Sequence, residues 1–121
     1  MALNQSKIAE EAFRQNQFDD ARKQYQEALK AWQQDGDIYS EEQAIVVGRL
    51  AEIAKLQGSA DQGNLFLDFE RLAEKVRHDD PKLLRTQFFS DAYQDYANYL
   101  WKHYDIAKTL KMHERSLQCT P

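Results

Sequence analysis

Apolar residues recur along the chain at intervals of three and four, and that spacing gathers them on one face of a helix. Six such stretches predict helices over about 2–15, 18–34, 41–57, 63–78, 81–102 and 104–118. The polar breaks between them have local causes. Asn16-Gln17 leaves room only for a hairpin turn between antiparallel helices, and Asp35-Gly36-Asp37 supplies a residue suited to a left-handed cap. Ser40 followed by Gln43 reads as a capping box opening the third helix. The stretch from Gly58 to Asn64 is the longest break, Asp80 before Pro81 reads as an N-cap with proline at the first helical position, and His103-Tyr104 marks the last turn.

Composition supports helix nearly everywhere. Only 4 Gly and 2 Pro occur in 121 residues, which excludes a turn-dense sandwich, a collagen-like chain or a long flexible linker. Five Ile, three Val and three Thr stand against fourteen Ala and thirteen Gln, residues that lose little on entering a helix. The expectation is one all-α domain over residues 1–121, with a core built from the 6 Phe, 6 Tyr and 2 Trp as well as the aliphatics.

The six helices form three pairs with related patterns. In the first, Ile8-Ala9 and Ala12 are followed by Phe18, Ala21, Tyr25 and Ala28, small residues that let two helices approach while the aromatics fill between them. The second offers Val47, Leu50-Ala51, Ala54 and Gly58, then Phe66, Phe69, Ala73 and Val76. The third offers Tyr93, Tyr96-Ala97 and Leu100, then Ile106, Thr109, His113, Ser116 and Pro121. This resembles the tetratricopeptide repeat family, and the run from Phe18 to Leu29 is a close match to the second helix of its motif. Thr109, His113 and Ser116 stand where that family usually has Ala, an aromatic and Ala, and the second unit carries extra residues in its turn. Units of about 2–37, 38–80 and 81–121, with starts near Ala2, Ala44 and Ser90, are spaced by 42 and 46 residues. That spacing is similar to the longer-helix variety found in kinesin light chains and related bacterial regulators.

The resemblance implies a short right-handed α-solenoid of stacked helical hairpins that binds a peptide or protein segment in a concave groove lined by the first helix of each unit. Mapped onto this chain, the groove takes Ser6, Glu10, Phe13 and Arg14 from the first unit, Arg49, Glu52 and Lys55 from the second, and Gln94, Asn98, Trp101 and Lys102 from the third. Arg14, Arg49, Lys55 and Lys102 would be the cations available to an acidic group, and Phe13 and Trp101 the apolar anchors. Family members that clamp the C-terminal carboxylate of heat-shock chaperones present Lys and Asn one turn apart. Ser6 and Glu10 occupy those places here, and Glu10 would repel a carboxylate.

Other chemistry finds little footing. A net charge of −4 without a basic cluster argues against nucleic acid, and no run is long and apolar enough for a membrane span. A single cysteine and a start without a secretion-signal pattern lead to an expected cytoplasmic location. His78, His103 and His113 lack the spacing of a metal site, no nucleophile or phosphate-cradle motif occurs, and no cofactor is expected. The protein therefore reads as a non-enzyme. Asp19-Asp20 and Asp79-Asp80 read as helix N-terminal charges, and Cys119 as an ordinary exposed thiol. Seven aromatics fall between Phe88 and Tyr104, more than one helix face can bury, so some must face outward. That excess suggests an alternative role: a homodimer formed through the aromatic third unit.

Overall fold

The computed structural model describes residues 2–34 and 36–121, so Asp35 of the Asp35-Gly36-Asp37 break lies outside the described residues. Its elements are α1 (Ala2–Arg14), α2 (Phe18–Gln34), α3 (Ser40–Gln57), α4 (Gln62–Asp79), α5 (Gln87–Lys102) and α6 (Ile106–Gln118), with 3-10 turns at Gly36–Tyr39 and Pro81–Leu84. No strand occurs among the described residues. The fold is all-α and built from helical hairpins, with α1 packed along α2, α2 against α3, and α5 along α6.

Three of the helices stop in the same way. α1, α3 and α5 each run into a residue with positive φ, Asn16 at 60°, Gly58 at 64° and Tyr104 at 62°. The N–H of that residue donates to the carbonyl three back, and the next N–H to the carbonyl five back. The pairs are Asn16 to Phe13 with Gln17 to Ala12, Gly58 to Lys55 with Ser59 to Ala54, and Tyr104 to Trp101 with Asp105 to Leu100. This doubled pattern satisfies carbonyls that the helix end would otherwise leave bare. The three turns lie 42 and 46 residues apart, the spacing of the sequence repeat. Their exits differ: α2 and α6 begin directly after the turn, whereas Ala60 and Asp61 intervene before α4.

The chain divides into two compact units, one up to Leu72 and one from Ala73 onward, the division falling within α4. In the first, Ala9, Ala21 and Ala28 are fully buried, as expected of the close contact between α1 and α2. Tyr25, Val46, Leu50 and Ile53 complete that core, and Phe13, Phe18, Leu29, Trp32 and Leu65 pack on its margin. Phe13 and Phe18 meet edge to face across the hairpin at 5.6 Å. Arg22 of α2 pairs with Asp61 and donates to Ser59, tying α2 to the turn before α4. In the second unit Phe89, Tyr93, Tyr96, Ala97 and Met112 are buried. There Thr109 and Ser116 replace the small apolar residues of the first hairpin without leaving bare hydroxyls. Thr109 donates to the Asp105 carbonyl at 2.6 Å, and Ser90 and Ser116 donate to each other's carbonyls at 3.1 and 2.7 Å.

Several expectations are corrected. The stretch 81–102 is not one helix: Pro81–Leu84 forms a 3-10 turn opened by Asp80, then Thr86 adopts an extended conformation and its side chain caps a new helix by accepting from the Phe89 N–H. Ser40 and Gln43 form no capping box. Tyr39 holds the cap position, Ser40 is already helical, and Gln43 turns back to donate to the Gly36 and Trp32 carbonyls, which need partners where α2 ends. Asp105 rather than Tyr104 opens α6, its carboxylate accepting from the Lys108 N–H. Asp79 ends α4 instead of starting a helix. Cys119 is not exposed: it is fully buried at the end of α6, and burial raises its thiol pKa against the opposing pull of Arg77 and Arg115.

Two substitutions test this packing. Ala21→Leu is expected to cost roughly 1–3 kcal/mol, because a larger side chain at a fully buried helix contact forces the helices apart. An unchanged thermal midpoint would contradict the α1–α2 register. Tyr104→Gly should instead raise stability in urea by about 0.5 kcal/mol or more, since a bulky residue at φ 62° is strained and its ring is 89% exposed, with little packing to lose.

Candidate functional site

Helical pairing brings α1, α2 and α3 together over a cavity of about 360 Å³ in the first unit. Leu3, Ser6, Lys7, Glu10 and Arg14 of α1 form one wall, Glu42, Ile45 and Val46 of α3 another, and Tyr25 and Trp32 of α2 its floor. The floor is set by the sequence of α2. Ala21, Tyr25, Ala28 and Trp32 share one helical stripe, so the alanines that allow close packing are flanked by two aromatics that reach beyond it. Trp32 also stacks at 4.7 Å on Tyr39, next to the start of α3.

Beside the cavity, Arg49 of α3 is held from two sides. Its Nε donates to Glu10 at 3.1 Å and its Nη1 to Glu52 at 3.0 Å, and its guanidinium lies 5.0 Å from the centre of the Phe13 ring. Burial works against that charge, yet the Glu10 and Glu52 carboxylates hold its pKa above the ordinary value. The Tyr25 hydroxyl is buried beside the Glu10 carboxylate and the Arg49 guanidinium. Burial, and then the Glu10 carboxylate, push the Tyr25 pKa far above its usual value. The second unit repeats the theme: Arg115 of α6 donates to Glu74 at 2.8 Å, Arg77 lies 3.5 Å from the same carboxylate, and burial raises the pKa of Tyr93.

The expected groove residues thus divide. Phe13, Arg49 and Glu52 come together, with Glu10, as an internal strut, so Arg49 is an anchored cation and not one waiting for a ligand. Arg14 is exposed on the cavity rim, loosely 3.8 Å from Glu11. Lys55 comes three residues after Glu52, exposed in the last turn of α3. On α5, Asn98 accepts from Gln94 at 3.3 Å, Trp101 is 62% exposed, and Lys102 is exposed at the helix end. Sequence reasoning did not single out Trp32, nor Tyr25 as anything but core filler. Their shared stripe with Ala21 and Ala28 was the signal available.

The aromatic run on α5 behaves as its number requires. Phe89, Tyr93 and Tyr96 are buried, while Trp101 and Tyr104 face solvent. α6 adds an exposed apolar row, Ile106, Leu110 and Leu117. Among the described residues no cluster of three or more His, Cys, Asp or Glu is arranged to hold a metal ion, and no helix is long and apolar enough to cross a membrane. No family model, curated protein or solved structure matches the chain.

The two buried tyrosines set a pH dependence. A tyrosine whose pKa is raised by folding stays neutral in the native state while the unfolded chain ionises near its ordinary value of about 10, so stability is complete below that pH and falls above it. The unfolding free energy from urea titration is expected to hold steady up to about pH 9 and to fall above about pH 10, by about 1.4 kcal/mol per pH unit for each such tyrosine. Tyr25→Phe should flatten that drop. An equally steep fall in the variant would remove Tyr25 from the account.

Proposed function

We propose that the chain is a non-enzymatic protein-interaction module of the tetratricopeptide kind, binding a peptide or protein segment along the first helices of its hairpins. The observation that carries this reading is the recurrence of one helix-ending turn at Asn16, Gly58 and Tyr104 with the 42- and 46-residue spacing of the sequence pattern. Each packed hairpin presents a face formed before binding, which limits the ordering cost of association. Phe13, Arg14, Glu52, Lys55, Asn98, Trp101 and Lys102 lie on those first helices, and Trp101 is the large exposed aromatic among them. Arg49 supports the surface through Glu10 and Glu52 instead of contacting the partner directly.

A second reading has its own observation. Ile106, Leu110 and Leu117 on α6, with Trp101 and Tyr104 at the preceding turn, expose apolar surface that suits a homodimer contact through the last hairpin.

Selection of a displayed random-peptide library against the full chain, with sedimentation across a hundredfold concentration range, separates the two. The module reading expects a monomer that enriches peptides of a common pattern, with Trp101→Ala weakening them by about 2 kcal/mol, roughly thirtyfold. A tight dimer that enriches no peptide would overturn it and favour self-assembly.

A further inference from the structure

The cavity of the first unit holds polar atoms that the fold leaves without partners. Ser6 Oγ and Trp32 Nε1 are buried and unbonded, and both residues line the same cavity. Burying a donor in this way costs free energy that native structures rarely leave uncompensated. An indole N–H only donates, so the partner that Trp32 lacks is an acceptor.

The remaining lining narrows the class of occupant. Leu3, Ile45 and Val46 make much of the wall apolar. The lining holds two carboxylates, Glu10 and Glu42, and two cations, Lys7 and Arg14, so its charges balance and match an occupant without net charge. A volume of about 360 Å³ accommodates one large apolar side chain together with an adjoining peptide group.

We infer that this cavity is a receptor for one neutral, bulky apolar side chain of a bound peptide, whose adjoining main-chain carbonyl accepts from Trp32 Nε1 and the Ser6 hydroxyl. The inference rests on the peptide-binding reading and gives it a specificity site. It differs from the expected groove chemistry, in which cations met an acidic group: here the determinant is an uncharged side chain seated on α2 aromatics.

The probe is N-acetyl-L-phenylalaninamide, titrated into the full chain labelled with nitrogen-15. The two indole N–H resonances are assigned with Trp101→Phe. At about 0.3 kcal/mol for each heavy atom the probe should bind with a Kd on the order of 1 mM, shifting the Trp32 indole N–H and leaving that of Trp101 in place. N-acetylglycinamide and N-acetyl-L-glutamic acid amide should bind at least about tenfold more weakly, lacking the side chain or adding the charge. Trp32→Phe retains an aromatic ring, smaller than the indole, and deletes the donor, and should weaken the probe about fivefold to tenfold. Ser6→Leu, which fills the cavity from the half-buried face of α1, should abolish binding, and it keeps the test sharp if Trp32→Phe fails to fold. A Trp32 resonance unmoved by the probe, or equal binding of all three probes, would overturn the inference. Library peptides that bind without being displaced by the probe would also overturn it while leaving the module reading intact, whereas failure to enrich any peptide strikes that reading itself.

Discussion

Each hairpin of this protein depends on one residue entering the left-handed region. Asn16, Gly58 and Tyr104 end α1, α3 and α5, and the paired hydrogen bonds from these residues and their successors close the helix and reverse the chain. Only then can α2 return along α1, or α6 along α5, at a distance set by small buried residues. The three positions meet the same backbone requirement with very different side chains. Glycine meets it without steric cost, asparagine with little, and tyrosine against its own preference. That a tyrosine is held there shows the surrounding hairpin, with its Ser90–Ser116 and Thr109–Asp105 bonds, to be strong enough to impose the geometry.

Much of this architecture was legible because it is written in local periodicity. The alternation of large and small residues at spacings of three and four in Ile8 to Ala28 forces an amphipathic pair, and the burial of Ala9, Ala21, Tyr25 and Ala28 is its consequence. Helix boundaries were less legible where capping competes. Thr86 takes the chain out of a helix that Pro81 had seemed to begin, because its hydroxyl offers the Phe89 N–H a partner only in an extended conformation. Gln43 escaped its expected role because its amide N–H donates to the Trp32 and Gly36 carbonyls around the end of α2, so its oxygen does not serve as an acceptor for the first turn of α3.

The candidate site was less legible than the fold, for a reason of charge. A face carrying Arg14, Arg49 and Lys55 looks like a surface waiting for an acidic partner when helices are considered singly. Glu10 stands 39 residues from Arg49, and only the packing of α1 beside α3 brings them within 3.1 Å. Once Glu52 joins from the next turn, the guanidinium is neutralised from both sides and stacked on Phe13. Side chains that mark a groove in sequence thus become the means by which its walls are fixed.

That fixing also explains where unsatisfied chemistry collects. Arg49 and the Tyr25 hydroxyl meet the same Glu10 carboxylate, whereas Trp32 Nε1 further along α2 is buried without a bond. The stripe that makes α2 pack, Ala21, Tyr25, Ala28 and Trp32, must place its aromatic tips somewhere, and the tips carry polar atoms that the alanine contact cannot serve. Alanines and aromatic tips alternate along the stripe, so the close helix contact and the buried indole donor share one face of α2. The features that hold the first hairpin together and the features that could distinguish one partner from another are in this way consecutive turns of a single helix.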